Sequence, residues 1–264
     1  MGMYYFFVFF IFAFWVIATY NCCMPVVQLF VTCLVDTFYP ETGQAIVDIL
    51  SRLGVKVEFP QAQTCCGQPS FNAGLREATI PLAQHTIKVF ETAPGAVIMP
   101  SGSCAVMLKH GYPELFADDA LWLPRAQALA ARTYEFTEYI VDVLGVTDLG
   151  ARWNGKLAYH ASCHPNRHLG LNRQPQALLA AVRGAEIVSL PEAEECCGFG
   201  GVFSVKHPEL SAEMLKRKIA NLELSASPTL VVTEAGCRMH IAGGLNKQKK
   251  AQRVVHIAEV LNSR

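Results

Sequence analysis

The chain repeats one pattern of cysteine residues, and this duplication constrains the fold more than any other feature of the sequence. Each set has a single cysteine, an adjacent pair followed by glycine, and a last cysteine. The sets are Cys33, Cys65, Cys66 and Cys104, then Cys163, Cys196, Cys197 and Cys237. Equivalent cysteines lie 130, 131, 131 and 133 residues apart. Four matches in register indicate two copies of one structural unit.

The segments between the cysteines predict alternating strands and helices in both halves. Short apolar runs predict strands at 26–31, 55–59, 96–99, 156–160, 186–190 and 229–233. Helical patterns cover 42–53, 75–92, 176–182 and 208–224. This alternation is typical of parallel α/β units, in which the loops at the carboxyl ends of the strands carry the functional site. We therefore expect an α/β fold of two similar duplicated domains, with parallel-type sheets flanked by helices and all eight cysteines in such loops.

The domain boundaries follow from the same pattern. We expect a first domain over residues 24–150 and a second over 151–264. A long helical pattern at 125–144 predicts a connector between them, and the glycines at both ends of 145–155 mark the boundary.

Residues 1–23 form an apolar N-terminal extension. The run 4–20 is 17 residues long, at the short limit for crossing a hydrocarbon layer of about 30 Å. It lacks the basic start and small-residue cleavage site of a secretory signal. Two interpretations stay open, a membrane anchor or a protein whose translation starts at Met24. We expect a cytoplasmic protein that contacts a membrane only if residues 1–23 belong to it and 4–20 anchor it.

Charge and cysteine content argue against a nucleic-acid-binding protein and against a protein held together by disulfide bonds. Lys and Arg total 22 against 22 Asp and Glu, so no field of one sign is available to hold nucleic acid. Ten cysteines without a convincing export signal favour a metal or redox role over disulfide bonds.

The adjacent cysteine pairs indicate the kind of metal site. Neighbouring residues of an extended chain point to opposite sides, so Cys65 and Cys66 are poor disulfide partners. Structural zinc sites usually use C-x-x-C pairs, which neither half contains. An iron–sulfur cluster takes four thiolates, and each half supplies four. We expect all eight repeated cysteines to bind two clusters, most simply [4Fe-4S], with zinc in one half as the alternative.

The cysteine motifs also resemble a known family. Segments 29–36, 64–69, 100–104, 196–201 and 255–260 carry the resemblance. They are similar to the paired CCG domains of the cysteine-rich subunit of heterodisulfide reductase and of the glycolate oxidase iron–sulfur subunit, and more closely to the lactate utilisation A proteins. The resemblance implies an iron–sulfur electron-transfer subunit of a complex that oxidises L-lactate or a related 2-hydroxy acid, with other iron–sulfur subunits as partners.

Two alternatives to this function stay open. One is a heterodisulfide-reductase-like thiol/disulfide reductase, and the other is a zinc-stabilised subunit without catalysis. No nucleophile with an adjacent base and no nicotinamide fingerprint stands out. We therefore assign no catalytic residue.

The chain departs from the wider family at two positions. Many members end each motif with C-x-x-C, whereas Ser101 and Glu234 stand three residues before the last cysteine of each half. We expect four-thiolate clusters for this reason, with Glu234 beside the second site or turned toward solvent. His160, His164 and His240 lie near cysteines in sequence, and we interpret them as supporting residues, with metal ligation as the alternative.

Overall fold

Two four-stranded parallel sheets form the framework of the protein, whose structure is a computed structural model that describes residues 24–264. The first sheet has the order β2-β1-β3-β4 and the second has the order β6-β5-β7-β8. The strands are β1 Val26–Leu29, β2 Lys56–Glu58, β3 Ala96–Met99, β4 Thr133–Glu135, β5 Arg152–Tyr159, β6 Arg183–Val188, β7 Thr229–Val232 and β8 Arg253–His256. The same order of parallel strands occurs twice, which confirms the predicted α/β duplication.

Helices connect the strands in each half. In the first half the α-helices are Cys33–Phe38, Pro40–Arg52, Gln68–Asn72, Arg76–Glu91, Gly102–Val106, Tyr112–Leu115, Trp122–Ala131 and Phe136–Glu138, with π-helical turns at Met107–Gly111 and Tyr139–Val143. In the second half they are Cys163–Leu169, Arg173–Ala180, Val202–Lys206, Pro208–Leu224, Ala235–Lys247 and Ile257–Asn262. Each long helix has a buried apolar stripe, such as Ile46, Ile49 and Leu50.

The predicted connector helix at 125–144 is wrong. The helix ends at Ala131, the strand β4 follows, and a second helical segment starts at Phe136. A strand of three residues is too short to show an alternating pattern, and no glycine or proline separates it from its neighbours. The equivalent strand β8 was also absent from the prediction. Each sheet therefore has a fourth strand, and the division at residue 150 falls between β4 and β5.

The two halves pack through reciprocal helix contacts. Pro40–Arg52 of the first half packs on Ile257–Asn262 of the second, and Arg173–Ala180 of the second packs on the helical segment 136–143 of the first. The two contacts are equivalent. In each, the second helix after the first strand of one half packs against the helical segment that follows the fourth strand of the other half. One apolar core runs through both halves and contains Leu50, Leu178 and Leu261. A shared apolar core of this kind fixes the halves in one relative orientation.

The fourth strand of each sheet ends in a buried residue that caps the next helix. Glu135 accepts hydrogen bonds from the backbone N–H of Thr137 and of Glu138. In the second half the Nδ1 of His256 accepts from the Ala258 N–H, and its Nε2 lies 3.2 Å from the carbonyl oxygen of Pro100 in the first half. The His256 ring therefore also ties the two repeats together.

Replacing Glu135 by glutamine is expected to remove a pH-dependent loss of stability. Burial raises the pKa of Glu135 from 4.5 to about 7. Its stabilising contribution is thus fully present below about pH 4.5 and is lost as the pH rises through about 7, at a cost of about 3 kcal/mol. Urea unfolding of both proteins between about pH 4.5 and pH 8 measures the effect. Parallel pH curves for the two proteins would contradict it.

The pKa shift of His256 is opposite in direction to that of Glu135. Comparing the Glu135→Gln variant with the parent removes the effect of His256 on the free energy of unfolding. Burial lowers the pKa of His256 to about 4. Stability from this group is lost as the pH falls from about 6.5 toward 4. Both proteins keep His256, so only the difference between their curves reports on Glu135.

Expectations about residues 1–23, including Cys22 and Cys23, lie outside the described residues. From Met24 to Arg264, no helix combines the length and the apolar character that crossing a membrane requires.

Candidate metal centre

The eight repeated cysteines lie where parallel α/β units place functional residues. Cys33 and Cys163 are the first residues of helices that follow β1 and β5. The adjacent pairs lie in the loops after β2 and β6, and Cys104 and Cys237 are each the third residue of a helix that follows β3 or β7. Because the strands are parallel, their carboxyl ends meet at one edge of each sheet.

Glycine after each cysteine pair is a conformational requirement. Gly67 and Gly198 have φ angles of 81° and 89°, in the left-handed region that other residues rarely adopt. At Gly198 a Cβ atom would also lie 2.7 Å from the carbonyl oxygen of Ser211. The backbone N–H of Gly198 lies 3.4 Å from the Sγ of Cys196. The turn therefore directs an N–H group toward a cysteine sulfur.

Both sets of cysteines line a single cavity between the halves, with a volume of about 180 Å³. Gly102 allows this close approach of the repeats, because a Cβ atom there would lie 2.7 Å from the ring of Pro165. Cys33 is exposed, whereas Cys104 and Cys237 are buried. The cavity is thus closed at its base and accessible near Cys33.

The sulfur atoms approach one another in pairs within each half. The Sγ–Sγ distances are 3.8 Å for Cys33 and Cys65, 3.3 Å for Cys66 and Cys104, and 3.4 Å for Cys197 and Cys237. A disulfide bond measures about 2.05 Å, so all eight cysteines are free thiols. Two thiolates on one tetrahedral zinc ion would lie about 3.8 Å apart. The measured separations are longer than a disulfide bond, and that of Cys33 and Cys65 equals the spacing at such an ion.

Hydrogen bonds between the thiols divide each set into proton donors and acceptors. The thiol of Cys33, and then that of Cys66, lowers the pKa of Cys65 to about 2. In the second half Cys163, and then Cys197, lowers the pKa of Cys196 to about 2.

The last cysteine of each set also accepts a hydrogen bond from a neighbouring thiol, which lowers its pKa. Cys66 lowers the pKa of Cys104, and Cys197 lowers that of Cys237. The donating thiols have raised pKa values because these hydrogen bonds favour their protonated form. The pKa values of equivalent cysteines are thus shifted in the same direction, and in each half the thiolate form of two cysteines is favoured.

Glu234 and Ser101, which replace the additional cysteine of the wider family, bind each other across the two halves. The Glu234 carboxylate accepts from the Ser101 hydroxyl at 2.9 Å, from the Ser103 hydroxyl at 3.1 Å and from the Ser103 N–H. Glu234 is 5% exposed. The expectation that it could turn toward solvent is therefore wrong. Burial, followed by the charge of Cys237, raises its pKa well above the usual value for a carboxyl group.

The three histidines singled out in the sequence have different environments. His160 is fully buried and its ring approaches Cys197 and Cys237. The Nδ1 of His164 lies 3.7 Å from the Sγ of Cys163. His240 lies 3.3 Å from the Ser211 hydroxyl through its Nε2. Only His160 forms a compact group with two cysteine sulfurs.

Lys218 is a buried cation beside the second set that the sequence analysis missed. It is 0% exposed, and its Nζ donates to the carbonyl oxygen of Glu192. Burial lowers its pKa, and the charges of Glu195 and then of Cys197 act in the opposite direction. A detectable signal existed, because Lys218 interrupts the apolar stripe of helix Pro208–Leu224.

Comparison with known proteins identifies the class that this fold and site define. The family described as the cysteine-rich domain, CCG, matches residues 27–109 and 157–242. Both matched segments contain one complete set of four cysteines. The class is thus a protein with two CCG domains.

Full-length relatives narrow the class to one family. A lactate utilization protein A from an Exiguobacterium species is 50% identical over 240 residues, which cover 90% of this chain and 98% of the relative. The protein of the same name from Bacillus pumilus is 49% identical over 238 residues, covering 90% of this chain and 99% of the relative. A Geobacillus kaustophilus relative is 48% identical with the same coverage. The chain therefore belongs to the lactate utilization protein A family of CCG-domain proteins.

Proposed function

We propose that this protein is an iron–sulfur electron-transfer subunit of a complex that oxidises L-lactate or a related 2-hydroxy acid. The convergence of eight free thiols on one cavity is the observation that carries the proposal. The names of its relatives supply the substrate. The letter A in those names favours a system of several subunits, and the partners we propose are its other iron–sulfur subunits.

The donor set fits iron–sulfur clusters. Sulfur is the donor that such clusters take from proteins, usually four thiolates for each cluster. Each half offers four cysteines, and in each half hydrogen bonding lowers the pKa of two of them. Cys33, Cys65, Cys66 and Cys104 would hold one cluster, and Cys163, Cys196, Cys197 and Cys237 the other. These eight residues are the proposed metal and cofactor ligands, in domains proposed to span 24–150 and 151–264.

The proposed reaction requires the site to carry electrons. Oxidation of a 2-hydroxy acid to a 2-oxo acid releases two electrons and two protons. Iron–sulfur clusters, when bound, supply one-electron carriers. The protein's own part is to hold two carriers side by side in a cavity lined by equivalent residues. Burial of Cys66, Cys104, Cys197 and Cys237 shields the carriers from solvent at the base of the cavity, whereas the side near Cys33 is open to a partner.

Two other functions each have an observation in their favour. The exposed Cys33 beside the cavity favours a thiol/disulfide reductase, because a disulfide substrate could reach the sulfur ligands from solvent. The separation of 3.8 Å between the Sγ atoms of Cys33 and Cys65 favours a zinc-stabilised subunit, because it matches the sulfur–sulfur distance at one tetrahedral ion. The names of the relatives mention lactate and neither disulfide reduction nor zinc, which favours the first proposal.

Growth complementation combined with metal analysis tests the proposal. We expect the chain to restore growth on L-lactate to a Bacillus pumilus strain that lacks its lactate utilization protein A. The anaerobically purified protein is expected to be brown, with iron and sulfide in equal amounts. Zinc without iron would overturn the electron-transfer function. Reduction of a disulfide by the isolated, prereduced chain, without growth on lactate, would favour the reductase instead.

A further inference from the structure

The second half contains a buried imidazole whose hydrogen bonding determines its tautomer. His160 follows the last residue of β5 and is 0% exposed. Its Nδ1 lies 3.0 Å from the carbonyl oxygen of Ala193. A carbonyl oxygen only accepts, so Nδ1 carries the hydrogen and Nε2 keeps a lone pair. The backbone N–H of His160 donates to Val231 in the neighbouring strand β7, which holds the residue in place.

The imidazole of His160 lies close to two of the proposed metal ligands. Within residues 24–264, the Nε2 of His160 has no hydrogen-bond partner. One nitrogen of His160 and the Sγ atoms of Cys197 and Cys237 all lie within 4.8 Å of one another. A histidine that ligates a metal usually donates its other ring N–H to a carbonyl or carboxylate oxygen, which orients the ring. The contact between His160 and Ala193 is an arrangement of this kind.

The first half provides an internal comparison. The position three residues before the first cysteine of the set is His160 in the second half and Phe30 in the first. Phe30 is also 0% exposed and packs on Phe90, with 5.2 Å between the centroids of the two rings. The duplicated scaffold therefore presents a nitrogen to one set of cysteines and a phenyl ring to the other. A phenyl ring cannot ligate a metal.

We propose that the Nε2 of His160 is a further ligand of the metal centre in the second half, beside Cys197 and Cys237 and in addition to the four cysteines of that set. The two sites are then different in kind, because within residues 24–264 the compact group of a histidine and two cysteines occurs in the second half. Glu234 and Ser101, which stand three residues before the last cysteine of each half, bind each other and are thus already engaged. This inference rests on the proposed metal binding but not on the identity of the electron donor.

Nitrogen coupling to the reduced cluster tests the ligation directly. Cys65→Ser/Cys66→Ser removes ligands of the first half and isolates the second site. In this background, pulsed electron paramagnetic resonance of the reduced protein is expected to show coupling to nitrogen that changes when the histidines are labelled with ¹⁵N. His160→Phe, which copies the first half, is expected to lose this coupling while circular dichroism stays unchanged. Coupling that persists in His160→Phe, or that is absent from the parent, would overturn the proposal.

Two neighbouring histidines and a second probe complete the experiment. His164→Gln and His240→Gln are expected to keep the coupling, and its loss in either variant alone would move the ligand to that residue and overturn the assignment.

If iron is absent, the function proposed above fails, and ligation is then measured with Co²⁺ added to the metal-free protein. We expect His160→Phe to weaken Co²⁺ binding at least tenfold and to shift its visible absorption bands. Equal affinity and identical bands in both proteins would overturn ligation by His160.

Discussion

Replacing Cys65 and Cys66 together by serine is expected to remove about half of the bound iron and to leave the second site loaded. Serine oxygen is a hard donor that replaces thiolate poorly on iron. The three close sulfur contacts, at 3.3 to 3.8 Å, each join cysteines of the same half, so each set can bind metal by itself. Iron and sulfide analysis of the anaerobically purified protein measures the loss.

The duplication supplies the matched control for this prediction. Cys196→Ser/Cys197→Ser changes the equivalent pair and is expected to remove the other half of the iron. Because all eight cysteines line one cavity, a single shared cluster is the rival arrangement. A folded protein that loses all its iron in either variant would establish that rival and contradict independent sites. Absorbance near 400 nm should fall together with the iron in both variants.

Replacing Glu234 by alanine is expected to lower the free energy of unfolding by about 2 to 4 kcal/mol. The Glu234 carboxylate accepts from Ser101 and Ser103, on the other side of the boundary between the halves. Alanine would leave the N–H of Ser103 without this acceptor, and the hydroxyls of Ser101 and Ser103 would keep only each other at 3.1 Å. Guanidinium unfolding under anaerobic conditions measures the change.

Glu234→Gln separates hydrogen bonding from charge. The amide keeps an acceptor oxygen and the shape of the side chain, and burial already raises the pKa of Glu234 toward the neutral form. We therefore expect this variant to lie within about 1 kcal/mol of the parent. Equal destabilisation in the alanine and glutamine variants would show that the charge matters and that the hydrogen bonds to the serines do not.

The local architecture was largely predictable from the sequence. Strand β3 and helix Pro208–Leu224 have the predicted bounds, and most other predicted elements differ by only a few residues, whereas short helices such as Gln68–Asn72 and Val202–Lys206 were not predicted. Apolar periodicity reports on contacts that a segment makes along its own length, so long segments are predicted well. Strands β4 and β8 escaped prediction because neither contains an apolar run like the four apolar residues of β3, since β4 begins at Thr133 and β8 has only two valines between Arg253 and His256. Their pairing with β3 and β7 is established by partners distant in sequence.

The sequence by itself determined that the chain contains two copies of one α/β unit, each with four cysteines at the ends of its strands. Only the tertiary structure decided that both sets face one cavity, that Glu234 binds Ser101 at a separation of 133 residues along the chain, and that the ring of His160 lies beside Cys197 and Cys237. The physical reason is that spacing in a repeat describes each unit alone. The relative position of the units depends on the apolar core shared by Leu50, Leu178 and Leu261, whose contacts no local pattern encodes.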